Sequence, residues 1–340
     1  MNVKTTWIKL TRWEFWPTYI VYFPVALYYV WLAIKSRSFF FFSLANPGME
    51  MGGLYGASKF KQLRQLSDQI KPTTVFCEAG TDSAQLLQAI EIADISFPVI
   101  LKPDCGERGK GVLLIRNDIE LAQQPVLQAD SVIQTYIDYG FEAGVFFYRI
   151  PGNEKGHIPS IVIKEFLTVI GDGESSIKEL IDINDRALLV RNQLIARLGR
   201  SADEVLTVGE IKILEPIGNH NRGTKFVDGR HLINPELEQI FTEISAQLAG
   251  FNYGRFDLRA PSLEDFIKGE NIKILEVNGV NAEPAHIYDP GIRLTTGINT
   301  LLKHWNTIYT ISKLNRKLGY SIPKFEEAVK HYKNWKLSTK

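Results

Sequence analysis

The stretch FPVILKPDCGERGKGVLLI, residues 97–115, decides how the chain is read. A short β-rich run ends in Lys102, Pro103 redirects the backbone, and Gly106, Gly109 and Gly111 make a pliable loop before the apolar run that begins at Val112. Glycines let backbone N–H groups close around phosphate oxygens, while a lysine fixed on a rigid strand supplies charge beneath them. A mobile hairpin with a charged tip carries the same glycines, so the loop alone does not define a nucleotide site.

The second constellation is GRFDLRA (254–260), followed by IKILEVNGVNAEP (272–284). Asp257 sits inside one strand candidate, and Glu276 and Asn278 are two apart on the other. Period-two alternation therefore places Glu276 and Asn278 on one face, with Leu275 and Val277 toward the core. Two carboxylates and an amide oxygen make a hard-oxygen site for one or two Mg²⁺ ions, with Mn²⁺ as a substitute. Arg255 shares the face of Asp257 and is placed to stabilise a transferring phosphoryl group. A solvated strand would explain any one of these residues. It does not explain all of them, because inward-facing acids on apolar strands are costly without compensation.

Outward from these segments the chain has a mixed α/β rhythm. A helix is predicted over 58–69, and Thr81, Asp82 and Ser83 offer an N-cap before LLQAIEIA. Strands are predicted over 98–102, 112–116, 132–137, 142–149 and 160–167, joined by turns, so the sheet is expected to be mostly antiparallel. Helices at 175–182, 184–198 and 235–249 alternate with strands at 210–214, 253–259 and 272–278. Two helices end the chain, the last opened by Pro323. The expected fold is α+β, with two lobes, each with its own sheet, and a cleft between them.

Composition limits the alternatives. The 340 residues carry a net charge of +1, without the global basic field of a nucleic-acid binder. Lysines and arginines toward the C-terminus fit the solvated faces of amphipathic helices. Two cysteines, Cys77 and Cys105, exclude a disulfide scaffold and suit a reducing compartment. The anomaly is the uncharged segment TYIVYFPVALYYVWLAI (18–34), flanked by Lys4, Lys9, Arg12, Trp13 and Trp16 on one side and Lys35, Arg37 and four phenylalanines on the other. A secretory signal does not suit its aromatics, its Pro24 or the lack of a small-residue cleavage site after it. A spanning helix needs about 20 apolar residues, which makes this one marginal, whereas flanking Trp, Tyr and basic residues suit an interfacial helix. Membrane contact through residues 13–42 and a buried arm or dimer contact are equally compatible with the segment.

Taken together, the two constellations resemble those of ATP-grasp enzymes, and most of all the D-alanine–D-alanine ligase-like carboxylate–amine ligases. The resemblance runs over about 58–298. It implies a first lobe at 58–164 and a second at 165–300, preceded by the hydrophobic segment and Gly-rich linker at 1–57 and followed by helices at 301–340. It assigns Lys102 to the ATP phosphates and makes 106–112, with Gly106, Gly109, Lys110, Gly111 and Val112, the lid loop. It places Gln134 near the adenine amino group, Tyr136 and Ile137 on the hinge against the base, and Glu142 at the ribose hydroxyls. Lys164 becomes the second-lobe lysine near the phosphates, Arg255 steadies an acyl phosphate, and Asp257, Glu276 and Asn278 ligate magnesium. Lys59 or Lys61 is a further phosphate contact. The implied chemistry is attack of a carboxylate on the γ-phosphate, then attack of an amine on the acyl phosphate. Small-molecule carboxylate and amine substrates are the expected partners, in the cytoplasm or on the cytoplasmic face of a membrane, with a homo-oligomer equally open.

Three departures bear on the substrate. GVNAEPAHIYDP (279–290) replaces the short turn that follows Asn278 in D-alanine ligases, so D-alanine is not assumed. VIGDGESSIKELI (169–181) is more similar to the cyanophycin-synthetase-type ligases. The aromatic segment occupies the place of the usual Rossmann-like first lobe, so acceptor binding is expected to be organised differently. His220 and Arg222, in a polar loop, and Glu283, His286 and Asp289 are further substrate candidates. Cys105 is read as non-catalytic. The competing readings are a non-catalytic ATP-binding membrane adaptor and an ATP-grasp kinase acting on a hydroxyl.

Overall fold

A computed structural model describes residues 3–106 and 109–338. Its strands are β1 (Thr74–Cys77), β2 (Val99–Pro103), β3 (Leu113–Ile115), β4 (Ser131–Thr135), β5 (Phe141–Tyr148), β6 (His157–Glu165), β7 (Leu167–Ile170), β8 (Ile211–Glu215), β9 (Lys225–Asp228), β10 (Tyr253–Ala260) and β11 (Lys273–Asn278). The helices are α1 (Val3–Thr11), α2 (Thr18–Ser36), α3 (Lys59–Leu63), α4 (Ser83–Ile92), α5 (Asp118–Ala122), α6 (Ile177–Ile183), α7 (Asp185–Leu189), α8 (Arg191–Leu198), α9 (Pro235–Ala246), α10 (Leu263–Lys268), α11 (Leu294–Lys317) and α12 (Phe325–Ser338). The strands form a four-stranded sheet in the order β1-β4-β2-β3, a five-stranded sheet in the order β11-β10-β5-β6-β9, and the hairpin-like pair β7-β8. All these pairings are antiparallel, as the turn-joined strands imply.

Each sheet buries one face for the reason its sequence alternates. In the first, Val99, Leu101, Ile115 and Ile133 pack on Leu86 and Ile90 of α4. That helix starts where Asp82 accepts from the Gln85 N–H in a capping box, which satisfies otherwise orphaned donors. In the second, Val145, Phe147, Phe256, Leu258, Ile274 and Val277 pack against Leu237, Phe241 and Ile244 of α9.

The structure corrects several expectations. The helix predicted over 58–69 is only α3, followed by a separate turn at Asp68–Ile70. The run 184–198 breaks at Val190 into α7 and α8, and the last helix starts two residues after Pro323. β1 and β9 were not expected, because four-residue strands carry too few alternations to register. The lobes also divide earlier than residue 164: β5 and β6 pair with β10 and β9, so the sheet boundary falls between Thr135 and Phe141. Leu275 does not face the core. A register shift at Asp257/Leu258 makes it the extra residue of a β-bulge, which breaks the period-two alternation and leaves Ile274 and Val277 in the core instead.

The N-terminal segment is built into the domain. α2 packs Val21 and Val25 with Leu301 of α11, and Leu32 and Ala33 with Ile308 and Ile311 further along the same helix. Asn46, fully buried, donates to the carbonyls of Gly52 and Tyr253 and accepts from the N–H groups of Asn252 and Tyr253. Just beyond β11, the N–H of Val280 donates to Gly52 and that of Asn281 to Gly53. This backbone contact is close enough that a Cβ on Gly279 would lie 2.5 Å from the Gly52 oxygen and 2.8 Å from Gly53 Cα. Gly279→Ala is therefore expected to destabilise the fold by about 2 kcal/mol through overpacking. Gly140→Ala, whose Cβ would have only an ordinary 3.6 Å neighbour, should leave the urea midpoint close to that of the parent chain.

Candidate active site

Between the two larger sheets lies a cleft of about 660 Å³, lined by residues of both lobes and of the N-terminal segment. Lys102, almost fully buried, ends β2 there. Its Nζ donates to Gln134 Oε1 on β4 and to the carbonyl of Leu275, both at 3.0 Å. The bulge is what turns that carbonyl away from the β10 ladder and toward the lysine. Burial pushes Lys102 down to about 8, against the opposing attraction of Glu276. Gln134 also donates to Thr74 Oγ1, which fixes it across the first sheet.

On the second sheet the charged residues form one connected chain. Lys164 Nζ lies 3.0 Å from both Glu142 Oε1 and Asp257 Oδ1. Arg255 donates through Nη2 to Asp257 Oδ2 at 2.9 Å, and Asn278 Nδ2 donates to the same oxygen at 2.9 Å. Burial alone would raise Asp257, but the Arg255 and Lys164 charges reverse that effect and hold it at about 2. Arg259 closes the chain at the other end: its Nε donates to Glu142 Oε2 at 2.8 Å, and its remaining donors reach the carbonyls of Ile137 and Pro216. Its guanidinium lies over the Tyr136 and Phe166 rings.

A divalent cation needs carboxylate or amide oxygens at one place. Asp257 and Glu276 are paired across β10 and β11, and Asn278 is opposite Arg255 in the same ladder. The nearest cation to the Glu276 carboxylate is Lys59 Nζ, at 3.7 Å. The donor set suits a hard ion in kind. Among the described residues no group of three or more His, Cys, Asp or Glu could hold a metal, so phosphate oxygens or water would have to complete the sphere.

Gly109 and Val112 meet the second lobe. Arg222 Nη2 donates to the carbonyls of Gly109 and Val112 at 3.0 Å, and a Cβ on Gly109 would lie 2.8 Å from Asn219 Nδ2. Gly106, Lys110 and Val112 line the cleft, Gly111 packs on Pro103, and Glu107 and Arg108 lie outside the described residues. Of the early lysines, Lys59 lines the cleft and donates to the carbonyls of Asp104 and Gly106, whereas Lys61 pairs with Glu50.

His220 and Glu283 also line the cleft, but His286 and Asp289 do not. His286 is buried against Ser160 Oγ, and Asp289 accepts from the N–H groups of Asp228 and Gly291. Burial and Asp104 push the Cys105 thiol up to about 11, which leaves little thiolate. Sequence reasoning missed Glu14, Arg186, Tyr22, Tyr288 and Arg259. Trp13, Glu14, Phe15, Trp16 and Tyr22 bring the N-terminal segment into the wall of the site.

Residues 57–146 match the family description RimK-like ATP-grasp domain, a span that contains Lys102, the lid loop, Gln134 and Glu142. Over 219 residues the chain is 24% identical to a cyanophycin synthetase from Geminocystis herdmanii, covering 58% of this chain and 24% of that one. The chain thus spans about a quarter of that relative's length. Among solved structures it is similar to D-alanine–D-alanine ligase from Bacillus anthracis, at 14% identity and a TM-score of 0.41, covering 77% of this chain and 69% of that one. A bifunctional glutathione synthetase from Pasteurella multocida is also similar, at 17% identity and a TM-score of 0.37, covering 72% and 35%.

Both oxygens of Glu142 are engaged by buried cations, which gives this residue a structural duty whatever it does for a ligand. Glu142→Gln removes the acidic partner of Arg259 and one of two acidic partners of Lys164, and should cost about 3 kcal/mol in chemical denaturation, with or without nucleotide. A purely ligand-contacting residue would leave the ligand-free stability unchanged.

Proposed function

Taking the ATP-grasp fold of this chain as the premise, we propose that it is an ATP-dependent carboxylate–amine ligase. The supporting observation is the meeting, in one cleft, of the buried cations Lys102 and Lys164 and the partly buried Arg255 with the oxygen donors Asp257, Glu276 and Asn278. The cations suit the phosphates of ATP, and the oxygens suit Mg²⁺. Lys102 meets the phosphates from β2, and Gly109 and Val112, whose carbonyls accept from Arg222, stand over them. Gln134, Tyr136 and Ile137 face the base, and Glu142, with its neighbour Arg259, borders the sugar. Asp257, Glu276 and Asn278 would hold the metal, which supplies charge neutralisation on phosphate oxygens. Arg255 and Lys164 stand by the oxygen of the attacking carboxylate. The reaction that follows is displacement of ADP by a substrate carboxylate to give an acyl phosphate. An amine then attacks the acyl carbon, losing a proton and expelling phosphate.

Purified protein given Mg-ATP and a panel of amino acids should release ADP and inorganic phosphate together with an amide product. A stable phosphoester in place of free phosphate would make it a kinase, and nucleotide binding that leaves the Asp257→Asn, Glu276→Gln double variant fully functional in cells would make it an adaptor. Lys102 gives the reading a pH signature. Its proton is lost as the pH rises through about 8 in the free protein, and phosphate charge would hold it on. ATP affinity should therefore fall above pH 8, with proton uptake on binding seen by calorimetry in buffers of different ionisation enthalpy. Lys102→Met should weaken ATP about tenfold or more and abolish that uptake.

The same protein, in our reading, lies on a membrane. α2 is long and apolar enough to cross one, yet only 22% of its apolar window is buried. Tyr19, Phe23, Leu27, Val30 and Ile34 fall on one exposed stripe, continued by Trp7 and Leu10 of α1. Glu14 is the one acidic residue before Glu50, whereas Lys35 and Arg37 lie at the far end of the helix, where Arg316 donates to the Ser36 carbonyl. Because α2 is docked on α11 along its length, crossing a bilayer would require stripping it from the domain. An anionic lipid interface accommodates it in place. The full chain should sediment with phosphatidylglycerol-containing vesicles and far less with phosphatidylcholine alone, and Leu27→Glu with Ile34→Glu should release it. Unchanged sedimentation of that variant, or a dimer in lipid-free solution that the variant splits, would count against the membrane reading.

A further inference from the structure

The end of the cleft beside Arg255 differs chemically from the phosphate end. Arg255 Nη1 donates to the carbonyl of Glu283, at 3.4 Å, and the Glu283 carboxylate accepts from the hydroxyls of Tyr22 and Tyr288. Among the described residues no Lys, Arg or His nitrogen lies within ion-pair distance of that carboxylate. Phenol hydroxyls hold it in place, and the Arg255 charge acts on it only from beyond ion-pair distance. Glu14 faces the same space. Its Oε2 is taken by Arg186 at 2.6 Å and lies 3.0 Å from His220 Nε2, while its buried Oε1 has no hydrogen-bond partner. A carboxylate oxygen buried without a donor is costly, so it marks a place where a donor belongs.

Aromatic rings wall the space between the two carboxylates. Tyr288 lies 5.6 Å from both Trp13 and His220, and His220 lies 5.5 Å from Phe15 and 5.2 Å from Phe226. All of them line the cleft. Ring faces attract cations, and Arg186 already places its guanidinium 5.3 Å from the Phe15 centroid. Arg186 is spent on Glu14 and the carbonyl of Thr224, so it does not convert the wall into an anion site.

We propose that this aromatic, doubly acidic end, walled in part by the N-terminal segment, binds the amine substrate through a cationic nitrogen held between Glu283 and Glu14. The proposal rests on the ligase reading for the fate of that amine, but the binding itself does not. An acceptor with an ammonium group at one end is held beside Arg255, where an acyl phosphate would form. A dicarboxylate or a neutral diol gains nothing from the wall.

Calorimetric titration of the full chain with 1,4-diaminobutane, 1,4-butanediol and succinate separates these outcomes. The diamine should bind saturably and the other two should not. Glu283→Gln keeps an oxygen for one tyrosine and turns an amide N–H toward the hydroxyl oxygen of the other, so it removes the charge while keeping both side-chain contacts, and a merely structural Glu283 predicts unchanged diamine binding. Recognition of a cation predicts at least about a tenfold loss, with ATP binding kept. Preference for succinate, indifference of Glu283→Gln, or no saturable diamine binding overturns the proposal. ATP titrated into the same preparation keeps the two readings apart. ATP binding without diamine binding removes only the subsite, and diamine binding without ATP removes only the ligase.

Discussion

The site depends on the buried Asp257 carboxylate. Desolvation by the surrounding sheet would drive it toward its neutral form, and it stays charged because Arg255 and Lys164 approach it from β10 and β6. Neither cation is cheap to bury on its own, so the three residues hold one another in position. The room for this comes from Gly144, which pairs with Asp257 across β5 and β10. A Cβ there would lie 3.1 Å from Asp257 Oδ1 and 3.0 Å from Arg255 Cδ. The five-stranded sheet is thus shaped around a charge cluster.

That cluster is bound to the N-terminal segment more closely than a separate anchor would be. The loop from Glu50 to Gly53 pairs with the backbone immediately after Asn278, so the end of β11 and the segment share hydrogen bonds. Trp13 donates to the carbonyl of Ile292, and Tyr22 reaches Glu283. Segment and site therefore cannot move independently. One helix thus both exposes an apolar stripe and lines the cleft.

How much of this was legible in the sequence follows from how local each feature is. Lys102, the glycine loop, and the Asp257, Glu276 and Asn278 pattern each lie within a short stretch, and local chemistry made them conspicuous. The α+β architecture and the antiparallel sheets followed from strand lengths and turns. Leu275 was misread because a bulge depends on pairing with β10, which alternation along one strand does not contain. Glu14 and Arg186 were invisible for a stronger reason. They are 172 residues apart, and each alone reads as an ordinary surface charge. The N-terminal segment was recognised as anomalous by its composition, but its face toward the cleft appears only once Tyr22 and Glu283, 261 residues apart, are brought together.

On the proposed reading, the arrangement of charge along the cleft would let one pocket serve two unlike partners. Lys102, Lys59 and Lys164 gather positive charge at one end of the cleft, while Glu283, and Glu14 with its partner Arg186, lie among aromatic rings beyond Arg255. An anion entering the second region meets carboxylates, and a cation entering the first meets lysines, so each end repels the occupant of the other. Arg255 stands at the boundary, bound on one side to Asp257 and on the other to the Glu283 carbonyl. A carboxylate activated at that boundary faces phosphate on one side and an amine on the other, which is the geometry that joining the two requires.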